Sequence, residues 1–373
     1  MSEFRLFKNL NVYTPRSLGV NDILVYGGWI VEIKDNIKPP HGLECRIVEM
    51  DGEYCVPGFI DGHVHLIGGG GEGGFVTRTS PGEPDDFLNN GITTIIGLLG
   101  TDGVTRTHSE LLAQARKFSA SGLSVYLVTG SYAYPPVTLL GSVEKDIVYI
   151  PEYIGTGEIA IADHRGSGIS PRELKRLVLE TGRGGMLAGK AGKVILHTGR
   201  TPERLSLLEE VVEAGDVLPA QMLPTHINSS AEKLTEGKKW IKGYGGYIDL
   251  TADEETADCV KVLIEEGIPM ENLLISSDAW GSLPVFNEKG ELESIKRAEP
   301  DSLLFTLQKL VLENGISLEK ALKLFTTNVA DFFALDREGL GRIKKDNLAD
   351  FIILDRELNI KGAVVRGNHK SFF

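Results

Sequence analysis

The stretch Gly58-Phe59-Ile60-Asp61-Gly62-His63-Val64-His65 opens apolar and closes on two histidines one residue apart. An apolar run of this kind reads as a buried parallel strand, expected here over Gly58–Ile67. Residues i and i+2 of a strand share a face, so both imidazoles point to one side. Similar runs follow at Thr93–Leu99, Ser124–Thr129, Glu158–Asp163, Lys193–His197, Leu223–Ile227, Gly246–Thr251 and Asn272–Asp278. Helical segments separate several of them. Ser170-Pro171-Arg172-Glu173 supplies an N-cap, a proline at the first helical position and a capping-box glutamate. That helix is expected to stop at Gly182. Another is expected from Thr201-Pro202 to near Gly215, and a third from Asp253 to Glu266. Eight strands alternating with helices predict an α/β fold, a (β/α)8 TIM-like barrel, with an open doubly wound sheet as the fallback.

The two ends of the chain read differently. Ile23–Ile33 is two apolar runs around Gly27-Gly28, a hairpin signal. Ala349–Asp355 and Ala363–Gly367 look like two more short strands. Residues 1–56 plus 335–373 are therefore expected to build one small β-sandwich domain, and 57–334 the barrel. The 373 residues suit a barrel of about 250 residues with a small attached domain.

Composition narrows the function. Hydrophobic residues are 42% and charged residues 24%, ordinary for a globular protein, so disorder is a poor reading. The net charge of −13 disfavours nucleic acid and anionic membranes as partners. It leaves room for a local basic pocket. Cys45, Cys55 and Cys259 are widely spaced and odd in number, so no disulfide framework or paired-cysteine zinc site is expected. No apolar run reaches the ~18 residues of a membrane span. The stretch MSEFRLFKNLNVYTP lacks the apolar core of a signal peptide, and a cytoplasmic location is expected. The 44 glycines are in excess of the usual ~7%. Gly68, Gly70 and Gly73 satisfy a dinucleotide-type G-x-G-x-x-G, but Pro81 and Pro84 follow where a helix should open. Nucleotide binding is not expected.

Chemistry in a barrel gathers at the C-terminal strand ends. His63 and His65 end the first strand, His197 the fifth, His226 lies on the sixth and Asp278 ends the eighth. His41, His108, His164 and His369 fit no such pattern. Imidazoles with a carboxylate suit Zn²⁺ and related divalent ions. Four histidines and an aspartate exceed what one open catalytic zinc needs, so two divalent metal ions are expected, zinc foremost, with an anion between them.

With those residues in view, GFIDGHVH resembles the first-strand signature of the amidohydrolase superfamily. Gly341-Arg342-Ile343 through Ala349-Asp350 resembles its C-terminal return to the β domain. More narrowly, His65–Glu72, Gly97–Asp102, Gly141–Asp146, Asp163–Arg165, Leu223–Asn228 and Ser276–Asp278 resemble, in order, the β-aspartyl (isoaspartyl) dipeptidases. The resemblance implies one metal on His63, His65 and Asp278 and another on His197 and His226. In that family a carboxylated lysine on the fourth strand is the bridge. Counting back from Asp163-His164-Arg165 puts Glu158 there instead, and the extra Gly157 before it could bring the shorter carboxylate close enough.

The implied reaction is hydrolysis of a β-aspartyl dipeptide by a hydroxide held between the ions. Asp278 would be base and then acid, and Tyr132 would support the oxyanion. Glu72 is implied as partner of the substrate ammonium, with Thr101 and Ser282 as hydrogen-bond donors to the isoaspartyl end. Arg165 is implied as the fork for a carboxylate. A second departure follows His226: where the family has a second carboxylate-binding arginine, this chain has Ser229 and Ser230. Arg200 is a possible substitute. The family also implies a small peptide substrate and a large homo-oligomer, such as an octamer. The alternatives are another amidohydrolase acting on cyclic amides or N-acyl amino acids, or a metal-free scaffold on the same barrel.

Overall fold

The computed structural model describes residues 3–202, 204–286 and 292–371. The first five strands are β1 (Phe4–Tyr13), β2 (Ser17–Tyr26), β3 (Trp29–Lys34), β4 (Cys45–Glu49) and β5 (Tyr54–Pro57). Next come β6 (Phe59–Val64), β7 (Ile92–Gly97), β8 (Ser124–Thr129), β9 (Tyr153–Ile161), β10 (Lys193–Thr198), β11 (Met222–Thr225), β12 (Ile248–Thr251) and β13 (Leu273–Ser276). A hairpin of β14 (Ser282–Phe286) and β15 (Leu292–Arg297) precedes β16 (Phe351–Leu354), β17 (Ile360–Val365) and β18 (Asn368–Ser371).

Strands from both chain ends share one sheet, in the order β18-β17-β16-β5-β1-β2-β3, with β4 also on β1. The Gly27-Gly28 hairpin forms, with Tyr26 facing Trp29. Hydrogen bonding makes this a single network. The long β1 changes neighbour along its length, pairing β4 at Phe4–Lys8 and β5 at Asn11–Val12. Its core, including Phe7, Leu10, Val12, Cys55, Phe351 and Ile353, is fully buried or nearly so. β5 runs straight into β6, and Gly58 N–H donates to Asp350 O at 3.1 Å. The terminal sheet thus holds the start of the strand that carries the two histidines. The three cysteines are free, as expected.

The eight strands β6–β13 correspond to the eight expected from the sequence. β6 through β11 form one parallel sheet in chain order, and β12 pairs with β13. Two seams separate these groups, and polar side chains tie both. At the β11–β12 seam the Asn228 amide donates to Thr251 O at 2.8 Å and accepts from Thr251 N at 2.9 Å. It imitates a strand's own peptide. At the β13–β6 seam the buried Asp61 accepts from Ser277 N at 3.1 Å and from Ser277 Oγ. Val64 and Ala279 add a parallel bridge there.

Several expected boundaries shift for physical reasons. β9 begins at Tyr153 rather than Glu158, so the glutamate sits late in a long buried strand. β6, β11 and β13 end earlier than expected, at Val64, Thr225 and Ser276. His226 and Asp278 lie just beyond, in left-handed backbone (φ 59° and 54°), outside the extended region that regular strands use. The helix after Ser170 keeps its capping box but continues through Gly182 to Ala188. Its glycines allow close packing, for a Cβ on Gly185 would meet Gly192 Cα at 2.6 Å. The helix expected from Thr201 begins only at Ser206, and the one expected from Asp253 only at Thr256. Thr201 N–H is instead drawn back to Ala162 O. The Asp253 carboxylate accepts from Glu255 N and Thr256 Oγ1 in a turn.

Replacing Asn228 with alanine leaves the Thr251 N–H without its acceptor at the seam, while Thr251 O keeps Thr256 Oγ1 as a donor. Urea unfolding of Asn228→Ala is expected to show a loss of about 1–3 kcal/mol. A loss below ~0.3 kcal/mol would mean the seam does not depend on this amide.

Candidate metal centre and substrate cavity

Glu158 is the centre of the site and is fully buried. The bulge that presents it is visible in the β9–β10 register. Val194 faces Thr156 and Leu196 faces Ile159, so Gly157 and Glu158 together oppose Ile195. An extra residue in one strand re-aims its neighbour's side chain. Gly157 has no room for more: a Cβ would meet Ile195 Cβ at 2.8 Å and Ile195 O at 2.9 Å.

The two carboxylate oxygens of Glu158 face different imidazoles. Oε1 lies 2.8 Å from His197 Nδ1 and 3.1 Å from His226 Nε2. Oε2 lies 3.3 Å from His63 Nε2. Asp278 Oδ1 stands 3.1 Å from His65 Nε2 and 3.5 Å from His63 Nε2. Two groups able to hold a metal ion follow, His63-His65-Glu158 and Glu158-His197-His226, and they share the glutamate. Asp278 borders the first through both of its histidines.

The donor set fits cations better than it fits itself. His63 Nδ1 and Nε2, His65 Nδ1, Glu158 Oε2 and Asp278 Oδ1 are buried without a hydrogen-bond partner among the described residues. Buried polar atoms are normally satisfied, so convergent orphans mark a ligand's place. Outer partners fix ring orientation, as metal-binding histidines require. Thr251 Oγ1 is 2.7 Å from His226 Nδ1, leaving Nε2 free to face Glu158. Burial foremost pushes the His226 imidazole down to about 4, which favours its neutral form. Burial also opposes charge on His63, but Glu158, Asp278 and Asp249 outweigh it and push the imidazole up to about 10. Asp278 and Glu158 are themselves held below the usual carboxylate range; their histidine neighbours overcome the effect of burial.

A cavity of about 640 Å³ opens over this cluster. Glu72, Thr101, Tyr132, Arg165 and Ser282, all singled out from the sequence, line it. Thr101 Oγ1 and Ser282 Oγ each donate to Glu72 Oε1 at 3.1 Å, and Arg165 Nη1 reaches the same oxygen at 3.2 Å. The glycine-rich loop that carries Glu72 is clamped by the buried Arg106, which donates to Ile67 O, Gly69 O and Thr79 O. Tyr132 hydroxyl lies 2.7 Å from His197 Nδ1. Its ring sits beneath the Arg165 guanidinium, 5.2 Å from the ring centroid. Burial, and then the Glu158 charge, hold the phenol well above its ordinary value, so it keeps its proton.

Sequence reasoning missed three participants. Asp163, quoted only as part of a matching segment, binds Arg165 through two oxygens and lies 3.2 Å from His197 Nε2. Asp249, fully within β12, accepts from Ser276 Oγ at 2.7 Å. Lys233 lines the cavity from the following helix. Only the Asp163-x-Arg165 spacing carried a signal. The serines that replace the family's second arginine have other duties: Ser229 Oγ bonds His226 O, and Ser230 caps the helix Ala231–Tyr244.

This arrangement defines a class. The chain belongs to the amidohydrolase family, whose sequence model matches residues 54–370. Within it, the chain is similar to the β-aspartyl dipeptidase of the thermophilic, keratin-degrading Fervidobacterium islandicum AW-1. The structure of that enzyme in complex with β-Asp-Leu superposes with a TM-score of 0.92 at 36% identity, covering 98% of this chain and 96% of that one. A second structure of the dipeptidase gives 0.90 at 35% identity, covering 99% and 97%. Among curated relatives, the adenine deaminase of Ruegeria sp. (strain TM1040) is 30% identical over 118 residues, which are 29% of this chain and 18% of that protein. The dihydroorotase of Staphylococcus aureus (strain MRSA252) is 26% identical over 291 residues, 72% of this chain and 64% of that protein. The chain therefore spans under two thirds of these curated relatives.

Two outcomes test the centre. Glu158→Ala is expected to lose metal and activity together, measured by elemental analysis of the purified protein; two ions per chain in that variant would place the bridge elsewhere. In metal-free protein the His63 proton must leave before a cation binds, because Glu158, Asp278 and Asp249 favour the protonated imidazole despite its burial. Zn²⁺ uptake is then expected to release protons and to tighten as pH rises from about 6 to 9. Calorimetry in buffers of different ionisation enthalpy reads both effects.

Proposed function

We propose that this protein is a metal-dependent β-aspartyl (isoaspartyl) dipeptidase. The observation that carries the reading is the convergence of Thr101, Ser282 and Arg165 on one oxygen of Glu72, beside a glutamate shared by two histidine groups. Similarity to the Fervidobacterium dipeptidase over nearly the whole chain supports it. The frame is read as a (β/α)8 barrel over 57–334, with a small β-sandwich domain from 1–56 and 335–373.

His63, His65 and Asp278 would hold one divalent cation and His197 and His226 the other, with Glu158 between. When bound, such ions, zinc foremost for this donor set, acidify water and polarise the scissile carbonyl. Everything else falls to the chain's own groups. A β-aspartyl substrate places an α-ammonium and an α-carboxylate next to the bond to be cut. Glu72 receives the ammonium, and the Thr101 and Ser282 hydroxyls, which donate to Glu72 in the free protein, each turn their one proton to the isoaspartyl end when substrate binds. Arg165 offers a planar fork to a substrate carboxylate. Asp278, kept ionised by its histidines, takes the proton from the attacking water and returns it to the leaving amine. The Tyr132 hydroxyl, held protonated, donates to the oxyanion as it forms.

β-Asp-Leu is expected to be hydrolysed and α-Asp-Leu left intact. Turnover of cyclic amides such as dihydroorotate, with β-Asp-Leu inert, would overturn the assignment. Tyr132→Phe removes a donor needed only as the oxyanion develops. Its kcat is expected to fall about 10²–10³-fold with KM little changed. A fall confined to KM would remove Tyr132 from the chemistry.

A further inference from the structure

Lys233 is at odds with its surroundings. It occupies the first turn of the helix Ala231–Tyr244. The dipole there favours anions over cations. Its residue is only 5% exposed. The ammonium donates to Thr198 O. No carboxylate forms an ion pair with it among the described residues. Burial and the neighbouring Arg200 push it down to about 8, and Arg204 and Arg165 add to that while Asp163 opposes it. Holding a lone buried cation among other cations is costly unless an anion joins it. An ammonium has three donors, and Thr198 O takes one.

The other cations on this side of the cavity differ in what they have left to give. Arg165 is shared: Nε and Nη2 bind Asp163, Nη1 binds Glu72, and the dipeptidase reading gives what its fork has left to the isoaspartyl α-carboxylate. Arg204 is paired with Glu236 at 2.7 Å. Arg200 is exposed, lines the same cavity as Lys233, and has no ion-pair partner among the described residues. Uncommitted positive charge in the cavity wall therefore resides on Lys233, deep, and Arg200, at the rim. The substrate class proposed above brings a carboxylate on its second residue.

We propose that Lys233 and Arg200 form the anion subsite for the residue after isoaspartate. Lys233 takes the terminal carboxylate, and Arg200 takes a side-chain carboxylate, so that dipeptides ending in Asp or Glu are good substrates. This rests on the dipeptidase reading, and the test separates the two.

The metal-loaded full chain is assayed for kcat/KM on β-Asp-Leu and its C-terminal amide, and on β-Asp-Glu and β-Asp-Gln. Wild type is expected to prefer the acid over the amide by about 10- to 100-fold, the usual worth of a hydrogen bond to a charged group. Lys233→Met should bring that ratio to within about threefold, and Lys233→Arg should retain it. Arg200→Gln, an exposed change that does not depend on refolding a buried site, should abolish a preference for β-Asp-Glu over β-Asp-Gln. Equal loss on acid and amide in Lys233→Met makes the lysine structural and overturns its assignment. An unchanged Glu/Gln ratio in Arg200→Gln overturns the rim contact. In both cases wild-type cleavage of β-Asp-Leu leaves the dipeptidase reading standing. No cleavage of any β-aspartyl substrate by wild type overturns both.

Discussion

A single buried carboxylate dictates much of this structure. Moving an isolated carboxylate into a protein interior costs several kcal/mol even after relaxation. Glu158 is fully buried, and its two oxygens are divided between His197 and His226 on one side and His63 on the other. Placing it there takes an extra residue in β9, a glycine pressed against Ile195, and histidines arriving from three other strand ends. Each of these is a constraint on sequence far from the glutamate itself. The same negative centre holds Tyr132 protonated and favours charge on His63.

Much of this was legible in the sequence, because strand periodicity and strand ends are local signals. All eight central strands were anticipated, and so were Glu72, Thr101, Tyr132, Arg165 and Ser282 around the cavity, but not Asp163 or Lys233. What local signals cannot carry is the backbone conformation at the strand ends. His226 and Asp278 read as the tails of apolar runs, yet both adopt positive φ. Such conformations at polar residues persist only where surrounding contacts impose them. Helix starts failed for a related reason: Thr201 is drawn away by a tertiary hydrogen bond to Ala162 that no nearest-neighbour rule contains. Gly182 looked like a stop because its close packing against Gln221 and Gly192 is invisible in one dimension. Asn228 and Asp61 were quoted within motifs, but their work in joining the seams emerges only when strands are adjacent in space.

The global charge and the local charge run in opposite directions. A chain of net charge −13 encloses a cavity whose wall holds Arg165, Arg200 and Lys233. Counting arginines by sequence position suggested a missing cation. In the folded arrangement cations also reach the cavity wall from other positions. Arg165 is shared between Asp163 and Glu72, whereas Lys233 enters from a helix that Ser230 starts. The serine that stands in the arginine's neighbourhood is thus the cap that delivers a different cation.

The sheet shared by both chain ends sets the order in which the protein can be completed. β5 leads directly into the strand of the two histidines, and its antiparallel neighbour is β16, with Val56 facing Ile352. On a ribosome, β5 is made early and must wait for nearly the whole of the remaining chain before that neighbour exists. Contacts so distant along the chain are slow to form. The anchor of the first histidine strand is therefore assembled after translation of everything between, and a nascent chain without β16 holds β6 without its final support.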